Sequence, residues 1–416
     1  MRLPATIALT ILLLVTPACG SDESGDDGFV SLDPAVVGVD AVIEEHMREA
    51  GIPSMAAALV AGDELLWARG YGDQPEPDTV FMIGSIAKPF VATAVLQLAE
   101  QGLVDLEADV SGYLPFTVRH PDHPDAPVTV EMLLAHRSGL AHDLPAALWW
   151  DNDETMLEWM ADHADLDLSD DPFADGRASL REYLEYYVSS DAVETEGVWA
   201  APPDTGYHYS NTGFTLLLAY LVEEVSGLDL PTYVRRNIIE PLGMTDTGYD
   251  AADFRPEQLA APHRRHDGEN RELPVTGVSA SGPLRTSATD LATFLMAHIN
   301  EGSVGDVSVL QPESVERMRH RTSVLSGQTF PAHELSGAGY GWTLYEPNTW
   351  GHSGGTPGFF SEMVMRETVV GPVGVVLMTN VGCSLGCDQH VFDSHFAPIR
   401  EMLLDEAEAE LVVGVS

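Results

Sequence analysis

Residues 81–88 read Phe81-Met82-Ile83-Gly84-Ser85-Ile86-Ala87-Lys88. The spacing of apolar residues predicts a helix from about Ile86 to Gln101. Val91, Val95 and Leu98 share one face, and Gly102 stops the run. A serine at the N-terminal end of a helix lies where backbone N–H groups point at any anion that forms nearby. Lys88 lies one turn on, so its ammonium can reach Ser85 on the same face. A partly buried lysine loses its preference for charge and can act as a base near neutral pH. Arginine cannot, because its pKa is too high. Of 20 basic residues, 19 are arginine and Lys88 is the single lysine. A lysine that survives such a bias is a candidate for a task arginine cannot perform.

Two other segments carry related chemistry. Tyr209-Ser210-Asn211 precedes a predicted helix from Thr212 to Gly227. A tyrosine close to a cationic lysine can pass protons to a leaving group, and Asn211 can hydrogen-bond both the lysine and a carbonyl. His352-Ser353-Gly354-Gly355 lies just before a predicted strand. Paired glycines let a backbone N–H approach a ligand closely, so the N–H groups of Ser85 and Gly355 can together form an oxyanion hole, with Ser353 beside it. Each motif alone is weak; Tyr209-Ser210-Asn211, for example, also reads as a polar turn.

In this order, S-x-x-K, Y-x-N and H-x-G resemble the serine β-lactamase-related family. It comprises class C β-lactamases, D-Ala-D-Ala carboxypeptidases, D-aminopeptidases and family VIII esterases. Leu133-Leu134-Ala135-His136-Arg137-Ser138-Gly139-Leu140 is similar to the family's L-L-x-H-x-S-G-L, and Pro241-Leu242-Gly243-Met244 to its P-L-G-M. Residues 281–291 are similar to its glycine-rich turn and following helix. The resemblance runs from about residue 35 to 400. It implies Ser85 as the acylated nucleophile, Lys88 as the activating base, Tyr209 as a proton relay and Asn211 as the group that orients them. It implies no cofactor, and a small-molecule or peptide substrate. His352 stands where many β-lactamases carry the lysine of K-T-G. A lysine there helps hold a substrate carboxylate, whereas a histidine is mostly neutral near pH 7. Strong β-lactamase activity is therefore less expected than action on esters or small amides. No S-D-N motif matches the class A arrangement.

Gly351-His352-Ser353-Gly354-Gly355 also satisfies G-x-S-x-G, the nucleophile elbow of α/β-hydrolases, with Ser353 as nucleophile and Asp388 and His390 or His395 as partners. Against this, the elbow needs a helix directly afterwards, and Thr356-Pro357-Gly358 breaks one. A non-catalytic surface binder that kept the fold is a third reading.

Apolar spacing and turn residues predict a helix over Asp33–Ala50, strands over Met55–Val60 and Glu64–Gly70, and a helix over Pro231–Ile239. Further strands are expected at Tyr340–Tyr345, Phe359–Arg366 and Gly371–Met378, then a last helix over Val391–Ala407. Strands at both ends with helices between predict an α+β fold. An antiparallel sheet of N- and C-terminal strands would be flanked by helices, with a mainly helical lobe inserted at about 104–275 of a domain spanning 33–408. Trp149 and Trp150 read as lobe packing, His136 as a packing or capping residue, and His120 and His123 as exposed loop histidines.

The net charge of −45, from 65 acidic and 20 basic residues, argues against nucleic-acid binding, which needs clustered Lys and Arg. Acid excess with scarce lysine points to a salt-rich setting, or simply to a well-solvated surface. Arg2 and the apolar run Ala5–Val15 read as an export signal, too short to span a bilayer. Thr16-Pro17-Ala18-Cys19 resembles a lipobox, making Cys19 the lipidated first residue (1–18 signal, 19–32 acidic tether) and the product a periplasmic or cell-surface lipoprotein held at a membrane. Ordinary signal cleavage near Cys19, giving a soluble product, is the alternative. Cys383 and Cys387 then remain, and in an oxidising compartment such a pair is more often a disulfide than a zinc site completed by His390.

Overall fold

Eight strands drawn from both ends of the chain form one antiparallel sheet. The N-terminal part supplies β1 (Ser54–Ala61) and β2 (Glu64–Gly72). The C-terminal part supplies β3 (Ser323–Phe330), β4 (His333–Ala338), β5 (Thr343–Leu344), β6 (Thr349–Thr356), β7 (Phe359–Thr368) and β8 (Gly371–Thr379). Their order is β3-β4-β5-β6-β7-β8-β1-β2. The N-terminal hairpin joins the rest through β1 and β8, with Met55 opposite Thr379 and Ala61 opposite Val373. This is the expected α+β architecture. The computed structural model describes residues 37–142, 179–266, 269–272, 284–330, 333–345, 348–382 and 392–414. The signal and tether, Cys19, Trp149, Trp150, Cys383, Cys387, Asp388 and His390 lie outside them. Leu32–Ser416 group into one compact unit.

The main helices are α1 (Val37–Ala50), α2 (Ala87–Glu100), α3 (Leu218–Ser226), α4 (Ala288–Ile299) and α5 (Ala397–Gly414). Every residue of β1 is buried, which explains the unbroken apolar run Met55–Ala61. Met55, Ala57, Leu59 and Ala61 pack in the cluster of Ile43 of α1 and Leu403 of α5. Ala56, Ala58 and Val60 pack in the cluster of Phe90 of α2 and Leu295 of α4. The sheet is thus covered on both faces, and the period-two alternation sorts one strand into two cores. A Cβ on Gly374 of β8 would lie 2.7 Å from Leu295 and 2.9 Å from Ile299, so α4 rests directly on the strand. No helix among the described residues is long and apolar enough to cross a membrane.

Three expectations need adjustment. Of the strand predicted at Tyr340–Tyr345, only Thr343–Leu344 forms. Gly341 adopts φ +72°, and a Cβ there would lie 3.1 Å from the Lys88 carbonyl oxygen, so this segment turns against α2 rather than extending. The coil after Asn211 is π-helical over Thr212–Leu217 before it becomes α3. His120 is buried rather than exposed: its ring lies 5.1 Å from Trp199 and 4.9 Å from His123.

Three buried polar side chains, an ion pair and a histidine, matter for stability. Nη1 of Arg400 on α5 donates to both carboxylate oxygens of Glu362 on β7, at 3.1 Å each, and both side chains are almost fully buried. His298 of α4 is buried against Phe294, Trp342 and Thr93, and its Nδ1 has no hydrogen-bond partner among the described residues. Burial, with Arg319 nearby, pushes its pKa down to about 3. The folded protein then keeps His298 neutral where the unfolded chain protonates it. Its contribution is fully present above the ordinary histidine pKa of about 6.5 and is lost as pH falls toward 3. Replacing His298 with Phe is expected to flatten this acid limb by up to about 1.4 kcal/mol per pH unit. Urea unfolding of both proteins across that window reads the difference; parallel stability curves would refute it.

Candidate active site

Ser85 does not sit inside α2 but in a single 3₁₀ turn, Gly84–Ile86, that leads into it. Gly84 takes φ +51° to make that turn. The Gly354–Gly355 pair of β6 packs on it. A Cβ on Gly84 would lie 2.9 Å from the Gly355 oxygen and 3.0 Å from its nitrogen, and a Cβ on Gly354 would clash with the Ile83 carbonyl and lie 2.9 Å from the Ser85 nitrogen. Only two glycines let backbone approach backbone this closely. The amides of Ser85 and Gly355, the two expected oxyanion donors, are thereby neighbours.

Lys88 is fully buried on the first turn of α2. Its Nζ lies 3.0 Å from Ser85 Oγ and 2.7 Å from Asn211 Oδ1. It also sits 4.8 Å from the centroid of the Tyr209 ring, in cation–π geometry. Ser85 itself is partly exposed. A reachable hydroxyl above a buried amine is what nucleophile activation requires.

Tyr209-Ser210-Asn211 is held by the segment that carries L-L-x-H-x-S-G-L. The Ser210 N–H donates to His136 Nδ1 (3.1 Å), the Ser210 hydroxyl to the Ala141 carbonyl (2.7 Å), and the Asn211 N–H to the His142 carbonyl (2.8 Å). The rings of His136 and His142 stack on Tyr209 with centroids 4.4 Å and 5.3 Å away. His136 itself adopts φ +54°, rare for a residue other than glycine, and its burial, then Lys88, keeps its pKa well below the ordinary histidine value. It packs, as expected, but it packs against Tyr209. The sequence signal that can find it is the segment 133–140.

His352 lies on the same face of the sheet as these groups, its ring 6.3 Å from Tyr209. Burial, with Lys88 nearby, pushes its pKa down to about 3, while its Nδ1 lies 2.6 Å from the Ser353 carbonyl. It is a neutral hydrogen-bonding group here, not a cation. Ser353 is different. Strand alternation turns its side chain to the other face, where it shares a hydrogen bond with Tyr345 and lies opposite Glu362 in the ladder. Its hydroxyl is therefore not beside the oxyanion donors. The elbow reading fails on the same ground: Gly351–Gly355 runs through the middle of an eight-residue strand, with no strand-to-helix turn. Ser85, Lys88, Tyr209, Asn211, His352 and Gly355 come together; Ser353 does not join them.

A family model described as Beta-lactamase matches residues 39–389. Esterase EstB of Burkholderia gladioli is 31% identical over 249 residues, covering 58% of this chain and 57% of EstB, so the chain spans little more than half of that relative. Penicillin-binding protein 4 of Amycolatopsis lactamdurans is 28% identical over 362 residues, 82% of this chain and 84% of that protein. The structure of the octameric penicillin-binding protein homologue from Pyrococcus abyssi superposes with a TM-score of 0.69 at 26% identity, covering 88% of this chain and 77% of that one.

Proposed function

The chain belongs to the beta-lactamase family, and on that premise we propose that it is a serine hydrolase working through a covalent acyl-enzyme on an ester, amide or β-lactam-like substrate. The carrying observation is the position of Lys88 Nζ between Ser85 Oγ and Asn211 Oδ1. In this reading Lys88 takes the Ser85 hydroxyl proton as Oγ bonds to the substrate carbonyl carbon. The carbonyl oxygen becomes an oxyanion facing the amides of Ser85 and Gly355. On collapse the bond to the leaving group breaks, and the proton reaches that group through Tyr209. Water then attacks the acyl-enzyme, releases the acid and returns a proton to Ser85.

Neutral His352 favours esters and small amides over substrates that must dock a free carboxylate, and the likeness to an esterase points the same way. The inserted lobe at about 104–275 would shape the acyl pocket. Export and anchoring through Cys19 complete the proposal, supported by the N-terminal sequence pattern; membrane release of a Cys19→Ser variant tests it. A panel of p-nitrophenyl esters, D-Ala-D-Ala peptides and nitrocefin tests the substrate class. Short esters are expected to turn over fastest, and nitrocefin as the fastest substrate would overturn that choice. A fluorophosphonate probe tests the nucleophile: labelling is expected and is lost in Ser85→Ala, while an unlabelled folded protein would favour the non-catalytic binder.

A further inference from the structure

Across the sheet from the serine, α1 meets the π-helical turn Phe392–Phe396 that leads into α5. His46 and Glu49 are one turn apart on α1, so they share a face. His395 approaches from the other element. The His46 and His395 Nδ1 atoms lie 3.1 Å apart, with the rings edge to face at 72°. One ligand atom from each of His46, Glu49 and His395 falls within 4.8 Å of the others. Beneath them the neighbouring residues Met47 and Phe396 are buried in the core of that face, with Ile43 and Ile399. The two histidines therefore project from anchored backbone.

Two imidazole nitrogens facing each other need something between them: one shared proton, or one ion. Zinc takes histidine nitrogens at about 2.0–2.1 Å in tetrahedral geometry, which places two such nitrogens roughly 3.3 Å apart. The observed 3.1 Å is close to that edge. Glu49 is exposed, so its side chain can swing in to supply an oxygen at little cost. Two imidazoles and one carboxylate suit zinc and its neighbours in the transition series rather than calcium or magnesium, which prefer all-oxygen sets.

We propose that His46, Glu49 and His395 form a binding site for a divalent transition-metal ion of the zinc type. Three protein ligands leave a fourth position for water. The ion ties the last turns of α1 to the entrance of α5, joining elements 349 residues apart in sequence. It lies on the sheet face away from Ser85 and serves stability rather than acyl transfer.

Calorimetric titration of the chelator-stripped full chain with zinc tests this, in high salt and excess magnesium to suppress binding by the acidic surface. One equivalent is expected to bind tightly. His46→Asn and His395→Asn should each weaken it by at least about 100-fold, beyond the usual cost of an outer-shell partner, and Glu49→Gln by roughly 10-fold. Cobalt should give an intense visible spectrum that His46→Asn abolishes, and zinc should raise the Tm of the parent but not of His46→Asn or His395→Asn. Binding that magnesium displaces, or binding unchanged in His46→Asn and His395→Asn, overturns the site and leaves an imidazole–imidazole hydrogen bond only. Circular dichroism of each variant checks that a loss of binding is not a loss of the fold.

Discussion

Lys88→Arg is expected to lower kcat/KM by roughly four orders of magnitude, near the upper end of what a positioned base contributes. The substitution preserves the positive charge and most of the length, so it isolates the ability to lose a proton. Lys88 Nζ touches Ser85 Oγ and Asn211 Oδ1 inside a fully buried niche. A guanidinium in that niche stays protonated and has no lone pair with which to accept the serine proton. Its greater bulk should also cost about 1–3 kcal/mol of stability, which leaves a folded protein to assay. Probe labelling of Ser85 should slow in parallel with turnover. Near-normal turnover in the folded variant would remove Lys88 from the mechanism and shift the base to another group.

The largest loss of stability is expected on the opposite face of the sheet. Arg400→Met should cost about 3–5 kcal/mol in urea unfolding, because it strands the Glu362 carboxylate in the core. Burial pushes the Glu362 carboxyl up, and the Arg400 guanidinium opposes that rise. Arg400 also bonds Glu401, which it shares with Arg366. With the guanidinium gone, Glu362 can stay buried only by binding a proton. A carboxyl raised in the folded state stabilises below its unfolded pKa and loses that contribution as pH rises through the folded value. The variant should therefore weaken further toward alkaline pH. Glu362→Gln in the same chain should recover much of the loss, since no charge then remains unpaired. A penalty below about 1 kcal/mol for Arg400→Met would show that water reaches the pair.

The strongest sequence signals were local. Ser85 and Lys88 are three apart, and helix periodicity alone joins them. The short apolar runs of β1 and β8 are equally local, so both strands are legible. Tyr209 and His352 became legible only through order and resemblance, because nothing in spacing brings positions more than a hundred residues apart to one point. His136 and His142 illustrate the limit: their stacking on Tyr209 depends on hydrogen bonds across some seventy residues. Ser353 shows a different failure. G-x-S-x-G reads the same in a turn and in a strand, but in a strand neighbouring side chains face opposite ways. Ser353 is therefore carried out of the site by the very element that brings His352 in. The hairpin β3–β4 is not legible in the sequence, because its many small and polar residues carry little period-two contrast.

The pairing of β1 with β8 also governs the order of events during folding. These strands are neighbours in the sheet yet lie some three hundred residues apart along the chain. Closing so long a loop precedes the contacts that reward it, so such topologies fold slowly. On a growing polypeptide the N-terminal hairpin must wait, with one edge unpaired, until β8 has been synthesised some three hundred residues later. Gly354 and Gly355 arrive late as well, so no nascent fragment ending before them holds a complete catalytic centre. Recovery of Ser85 reactivity during refolding should therefore be a late signal, reporting closure of the sheet rather than formation of the helices.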